Sequence, residues 1–123
     1  MEREKGYHRL IVWQRAKELV KLTYKVTAML PRCENFVLVP QMRRAAISVV
    51  SNIVEGHARS LKSNKEFLNF LSISDGSLVE LETQIELARM LYPNLEKDFL
   101  ELENLRGEVA FLLYKFTNAI KER

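Results

Sequence analysis

Few residues of this 123-residue chain could do chemistry, and their spacing tells against most kinds. The histidines are His8 and His57, and the single cysteine is Cys33. A metal site inside a helical protein needs Glu and His three or four residues apart, so that several ligands point at one ion. Glu55 and His57 are two apart and leave a helix in different directions. His8 falls in a polar terminal stretch. No metal ligand set is assigned, and no cofactor. Cys33 has no base beside it in sequence and reads as a passive loop thiol, with no disulfide framework. There is no Gly-rich phosphate loop, nucleophile elbow or His-Glu-x-x-His pair. Glu82 and Glu86 share a helical face, but Arg89 follows them and the set reads as solvated. No catalytic residue is assigned, and the expectation is a protein that is not an enzyme.

The chemistry that remains is charge. The net charge is +3, unevenly placed. Residues 1–65 hold 13 Lys/Arg against 5 Asp/Glu, and residues 66–123 hold 6 against 11. The first half is thus +8 and the second −5. Arg9, Arg15, Lys17, Lys21 and Lys25 form a basic strip that Arg3 and Lys5 extend. Arg43 and Arg44 follow; adjacent helical residues point about 100° apart, so one should be internal and the other exposed. All seven, Arg9 to Arg44, are candidate phosphate contacts for RNA or DNA. No aromatic-rich set accompanies them, so base-specific readout is not indicated. The plainer alternative is that the two halves attract one another within the fold.

These side chains need helices to hold them. Hydrophobic residues make up 47% and charged residues 28%, ordinary for a soluble globular protein, and four Gly and three Pro are few breakers. Val12, Ala16, Leu19, Thr23, Val26 and Leu30 recur at three- and four-residue spacing, predicting a helix over about 9–30 that Pro31 stops. Phe36, Val37 and Leu38 are expected to fold back onto the helices. A second helix is expected over about 40–59, with Pro40 in its first position. Ser63 and Glu66 have capping-box spacing ahead of a third helix, about 64–92. Phe67, Leu71, Ser74, Leu78, Leu81, Ile85, Ala88 and Tyr92 give it a heptad seam. Gly76 inside it suggests close approach of another backbone. Pro93-Asn94 separates a last helix, about 95–121, carrying Leu95, Phe99, Leu102, Leu105, Val109, Leu112, Phe116 and Ala119. Short connections favour antiparallel neighbours, so the fold class is all-α, an up-down-up-down four-helix bundle in one domain over 1–123. No 20-residue apolar stretch or signal-like run is present, and a cytoplasmic protein without a membrane span is expected.

The second helix is apolar nearly all round. Met42, Ala46, Val49 and Ile53 make one row, and Ile47, Val50 and Val54 a second. A small domain cannot bury both, so the second row is assigned to an interface with another copy of the chain. Between the rows run Gln41, Ser48, Asn52 and Glu55. Gln41, Asn52 and Glu55 are expected to form a buried hydrogen-bonded network, with Arg43 or Arg44 joining it.

Several separated blocks carry a family resemblance. They are Leu10-Ile-Val-Trp-Gln-Arg-Ala16, Gln41-Met-Arg-Arg-Ala-Ala-Ile-Ser48, Ser51-Asn-Ile-Val-Glu-Gly56, Lys65-Glu-Phe67 and Gly76-Ser-Leu-Val-Glu-Leu-Glu-Thr-Gln84. In this order they resemble the bacterial four-helix bundle family, also called the 23S rRNA-intervening sequence protein family. The likeness covers roughly residues 9–92. It departs at Val39-Pro40, where the family usually has Ser or Thr, at His57, which replaces a common aromatic, and at Val54, which replaces a common Ala. The resemblance implies a left-handed antiparallel bundle assembling as a ring, commonly a homopentamer. It implies kinship of fold with basic pentamers that serve retroelement reverse transcriptases and bind nucleic acid. The expected partners are therefore the chain itself, RNA or DNA, and a nucleic-acid-processing protein. The alternative is a structural or protein-interaction module that binds no nucleic acid.

Overall fold

The computed structural model describes residues 6–123. The first helix, α1, spans Ile11–Thr27 and follows a 3-10 turn at Gly6–Arg9. It buries Val12, Ala16, Leu19, Thr23 and Val26, the row read from the sequence. The Thr23 and Thr27 hydroxyls donate to the carbonyls of Leu19 and Thr23, each at 2.7 Å, which satisfies two buried polar groups locally. Beyond Thr27 the backbone tightens: the N–H groups of Met29 and Leu30 bond three residues back, to Val26 and Thr27. The helix ends before Pro31 is reached.

Helix α2 spans Leu38–Ala58, starting two residues earlier than Pro40 suggests. Glu34, buried in the 3-10 turn Arg32–Glu34, explains this start. Its Oε1 accepts the Leu38 N–H at 3.4 Å. A carboxylate at a helix N-terminus satisfies a free donor and faces the positive end of the helix dipole. Glu34 thereby does the work of the Ser or Thr this segment lacks. Of the apolar trio, only Leu38 folds back. Val37 is exposed and Phe36 is 92% exposed.

Helix α3 spans Asn64–Leu91, and Ser63 Oγ caps it by accepting the Glu66 N–H at 3.3 Å. Its heptad residues from Phe67 to Ala88 are buried. The tight approach is not at Gly76, which is exposed and where an added Cβ would meet nothing within 4 Å. It is at Gly56 of α2, where a Cβ would lie 2.9 Å from Phe67 Cδ1 and 3.2 Å from the Phe67 carbonyl oxygen. The last helix, α4, spans Glu96–Lys121 after a 3-10 turn at Pro93–Leu95. Its core positions are Phe99, Leu102, Arg106, Val109, Leu113 and Ile120. Leu105, Leu112 and Phe116 only pack against that core, and Ala119 is exposed.

Each helix packs on two others in the cyclic order α1, α2, α3, α4. Side-chain bonds show the antiparallel sense. Ser74 Oγ donates to the Val49 carbonyl at 2.8 Å, while Ser77, further along α3, reaches Ser48, further back on α2. Asn64 reaches the Ile120 carbonyl at one end of the α3–α4 pair, and Arg106 reaches Glu82 near its middle. The fold is the four-helix bundle expected.

Candidate nucleic-acid interface

Helices α1 and α2 leave an open groove between their outward faces. The period that buries Leu19 and Thr23 turns Lys17, Lys21 and Tyr24 toward α2 and solvent. The period that buries Ala46 and Val49 turns Ile47, Val50 and Ser51 toward them. The resulting groove, about 630 Å³, has Val20, Ile47 and Val50 in its floor. A second hollow of about 410 Å³ shares Tyr24 and Ile47 with it and is lined by Asn35, Arg43 and Arg44. The two form one trough with cations at both ends and the Glu18 carboxylate beside Lys17 and Lys21.

The cations differ in how free they are. Lys21 and Lys25 are exposed and have no ion-pair partner among the described residues. Lys17 Nζ sits 4.6 Å from the Trp13 ring centroid, a cation–π contact that still leaves it at the rim. Arg15 turns the other way, onto Glu108 of α4. It ties the bundle together and is a poor phosphate contact. Arg43 is the more internal arginine. Its Nε donates to Thr27 Oγ1 at 3.0 Å, its Nη2 donates to the Tyr24 carbonyl at 3.3 Å, and its guanidinium stacks 4.4 Å from the Tyr24 ring centroid. A cation there also suits the carbonyl end of α1. Arg44 is exposed and lines the trough. Arg3, Lys5 and the side chain of Arg9 lie outside the described residues.

The buried network expected along α2 does not form within the chain. Gln41 and Glu55 are exposed. Asn52 is half-buried and donates to Ser48, at 2.8 Å to its carbonyl and 3.1 Å to its hydroxyl. Ser48 in turn meets the Ser77 hydroxyl at 2.8 Å. Two small serines let α2 and α3 approach at this seam, which leaves Gln41 and Glu55 on the outer edge. Ile47 is exposed, while Val50 and Val54 are half-buried. Two of the three residues assigned to self-association thus share a groove with the lysines assigned to phosphate.

The sequence reading missed two charged clusters. Glu34 accepts the Tyr92 hydroxyl proton in a hydrogen bond, and Cys33 Sγ lies 3.8 Å from the same hydroxyl. The Glu34 bond, then burial, then Cys33 push the Tyr92 pKa above its ordinary value. Arg106 is 8% exposed at a core position of α4. It donates to Glu103 at 2.8 Å and to Glu82 at 2.9 Å, and Glu103 chiefly raises its pKa against the opposing effect of burial. Clusters of this kind join helices. Among the described residues no group of three or more His, Cys, Asp or Glu could hold a metal ion, and no helix is long and apolar enough to cross a membrane.

Comparison with known proteins adds two findings. Residues 8–115 match the family model described as 23S rRNA-intervening sequence protein. A crystal structure of a protein of unknown function from the S23 ribosomal protein family of Bacteroides thetaiotaomicron VPI-5482 superposes with a TM-score of 0.76. That protein is 22% identical, and the match covers 87% of this chain and 98% of the other. At that identity the likeness shows the fold. No curated protein matches the chain.

Proposed function

The chain belongs to the 23S rRNA-intervening sequence protein family, and from that premise we propose that it is a non-enzymatic accessory protein that binds RNA. The observation that carries the reading is the α1–α2 trough. Lys17, Lys21 and Arg44 stand along one surface with Tyr24 between the two ends, while Lys25 is exposed on the adjoining α4 side of α1. Point charges spaced along a groove contact phosphates without reading bases. The ribosomal names of the family and of its structural neighbour agree with a ribonucleoprotein setting in the cytoplasm. DNA, or a nucleic-acid-processing protein that brings the RNA, fits the same chemistry. In this reading the chain works as a closed homo-oligomer of five, which repeats the basic surface and adds modest contacts through avidity.

A second reading rests on the apolar floor of the same trough. Val20, Ile47 and Val50 suit a helix from a neighbouring subunit, which makes the chain an assembly module without nucleic acid. Measuring RNA binding and assembly together separates the two. Lys17, Lys21 and Lys25 changed together to Glu should abolish binding of mixed-sequence single-stranded RNA at ~50 mM salt and leave the sedimenting mass unchanged. Val50→Glu should dissociate the assembly in either reading. Wild-type protein that assembles but binds no RNA replaces the first reading with the module.

A further inference from the structure

The outward face of α4 carries a largely exposed seam, along which Lys115 lays its Nζ 5.6 Å from the Phe111 ring centroid. Leu100, Asn104, Gly107, Phe111 and Tyr114 repeat at 4-3-4-3 spacing, opposite the core positions. At about 100° per residue they fall within roughly a quarter of the helix circumference. Leu100 is 42% exposed, Phe111 58% and Tyr114 65%. This is the pattern by which one helix packs against another. Gly107 adds an independent observation. A Cβ there would meet nothing within 4 Å. Glycine inside a helix is less favourable than alanine, and no close contact among the described residues requires it.

We propose that this seam pairs with the same seam of a second copy, antiparallel, across a two-fold axis near Val109. The charges select both partner and register. Antiparallel pairing at this axis sets Phe111 of each copy over Gly107 of the other, where the missing Cβ leaves room for the ring. Asn104 then meets Tyr114, and Leu100 meets Asn118. Along one flank Glu101 comes opposite Lys115, twice by symmetry. The Glu108 carboxylates approach one another, and each already holds Arg15 of its own chain. The outward face of α3 also exposes apolar groups, Ile73, Val79 and Leu87, but Asp75, Glu80, Glu82 and Glu86 around them would repel a second copy. A two-fold contact is isologous and distinct from the heterologous contacts that close a ring, so it pairs chains or pairs rings. The proposal goes beyond the RNA reading and does not depend on it, because the RNA trough lies on the α1–α2 side.

Sedimentation of the full chain over a concentration series tests this, with circular dichroism confirming the helices of every variant. Phe111→Glu should halve the mass of the wild-type species, and Gly107→Leu should do the same by filling the seat. Glu101→Lys alone and Lys115→Glu alone should each weaken the pair at least tenfold, and the double exchange should restore it. A wild-type chain that stays monomeric at ~100 µM, where mass action favours association, overturns the proposal. So does an unchanged mass in the Phe111→Glu variant, or a double exchange no stronger than the singles.

Discussion

Gly56 is where one side chain atom would do most harm. Its Cβ position lies 2.9 Å from Phe67 Cδ1, 3.0 Å from Phe70 Cβ and 3.2 Å from a backbone oxygen. The Phe67 ring is held in the core and the backbone of α3 cannot retreat cheaply. Gly56→Ala should therefore cost about 1–3 kcal/mol, as overpacking does, although alanine favours the helix. An unchanged denaturation midpoint would show that α3 yields there. Tyr92 supplies a pH-dependent counterpart. Its hydroxyl holds Glu34, which caps α2, and its pKa lies above the ordinary value of 10.0. A raised folded pKa contributes stability below the ordinary value and loses it as pH rises through the folded one. Tyr92→Phe should lower the melting temperature at neutral pH, and the gap to wild type should narrow above about pH 10. A gap constant into strong alkali would contradict this account.

At the scale of the helices, Arg106 decides what could be read in advance. The α4 seam runs through Phe99, Leu102, Arg106, Val109 and Leu113, and an arginine in the third place disguises it. A reading by hydropathy moves to Leu105 and Leu112, one residue off, and the outward seam at Gly107 and Phe111 goes unseen. Arg106 fits because its stem lies along the core while its head reaches Glu82 and Glu103, both more exposed. Arg106→Met should leave stability unchanged or raise it by about 1 kcal/mol, since a hydrophobic group of similar volume replaces an ion pair whose partners keep their water. Arg106→Ala should cost about 2–5 kcal/mol through the cavity it opens. Calorimetry on both variants separates stem from charge. Helices α1 and α3 were legible because their apolar residues keep one period throughout. The start of α2 was not, because its cap, Glu34, lies outside the helix. Nor were Gln41 and Glu55 placed correctly, since periodicity gives a residue's angle on α2 and not how far its neighbours extend.

The whole molecule divides by charge and by face. The +8 first half contributes α1 and α2 and their trough, and the −5 second half contributes α3 and α4 with their exposed apolar groups. Attraction between the halves accounts for part of this, as Arg15 on Glu108 shows. It leaves Lys21, Lys25 and Arg44 exposed and in no ion pair among the described residues, with Glu18 and Glu101 sharing a hollow with the two lysines. Those cations and Lys17 are the ones a polyanion would meet. Their release of counterions from single-stranded RNA sets a measurable quantity: four phosphate contacts per chain give a fall of log affinity with log salt of about 2.8. The direct test is therefore a titration of mixed-sequence single-stranded RNA at several salt concentrations, with wild type and the Lys17, Lys21, Lys25 to Glu variant. Wild type should show a slope near −3 per chain, and the variant should bind too weakly to follow. A wild-type slope near zero, or equal slopes for the two proteins, would contradict that expectation.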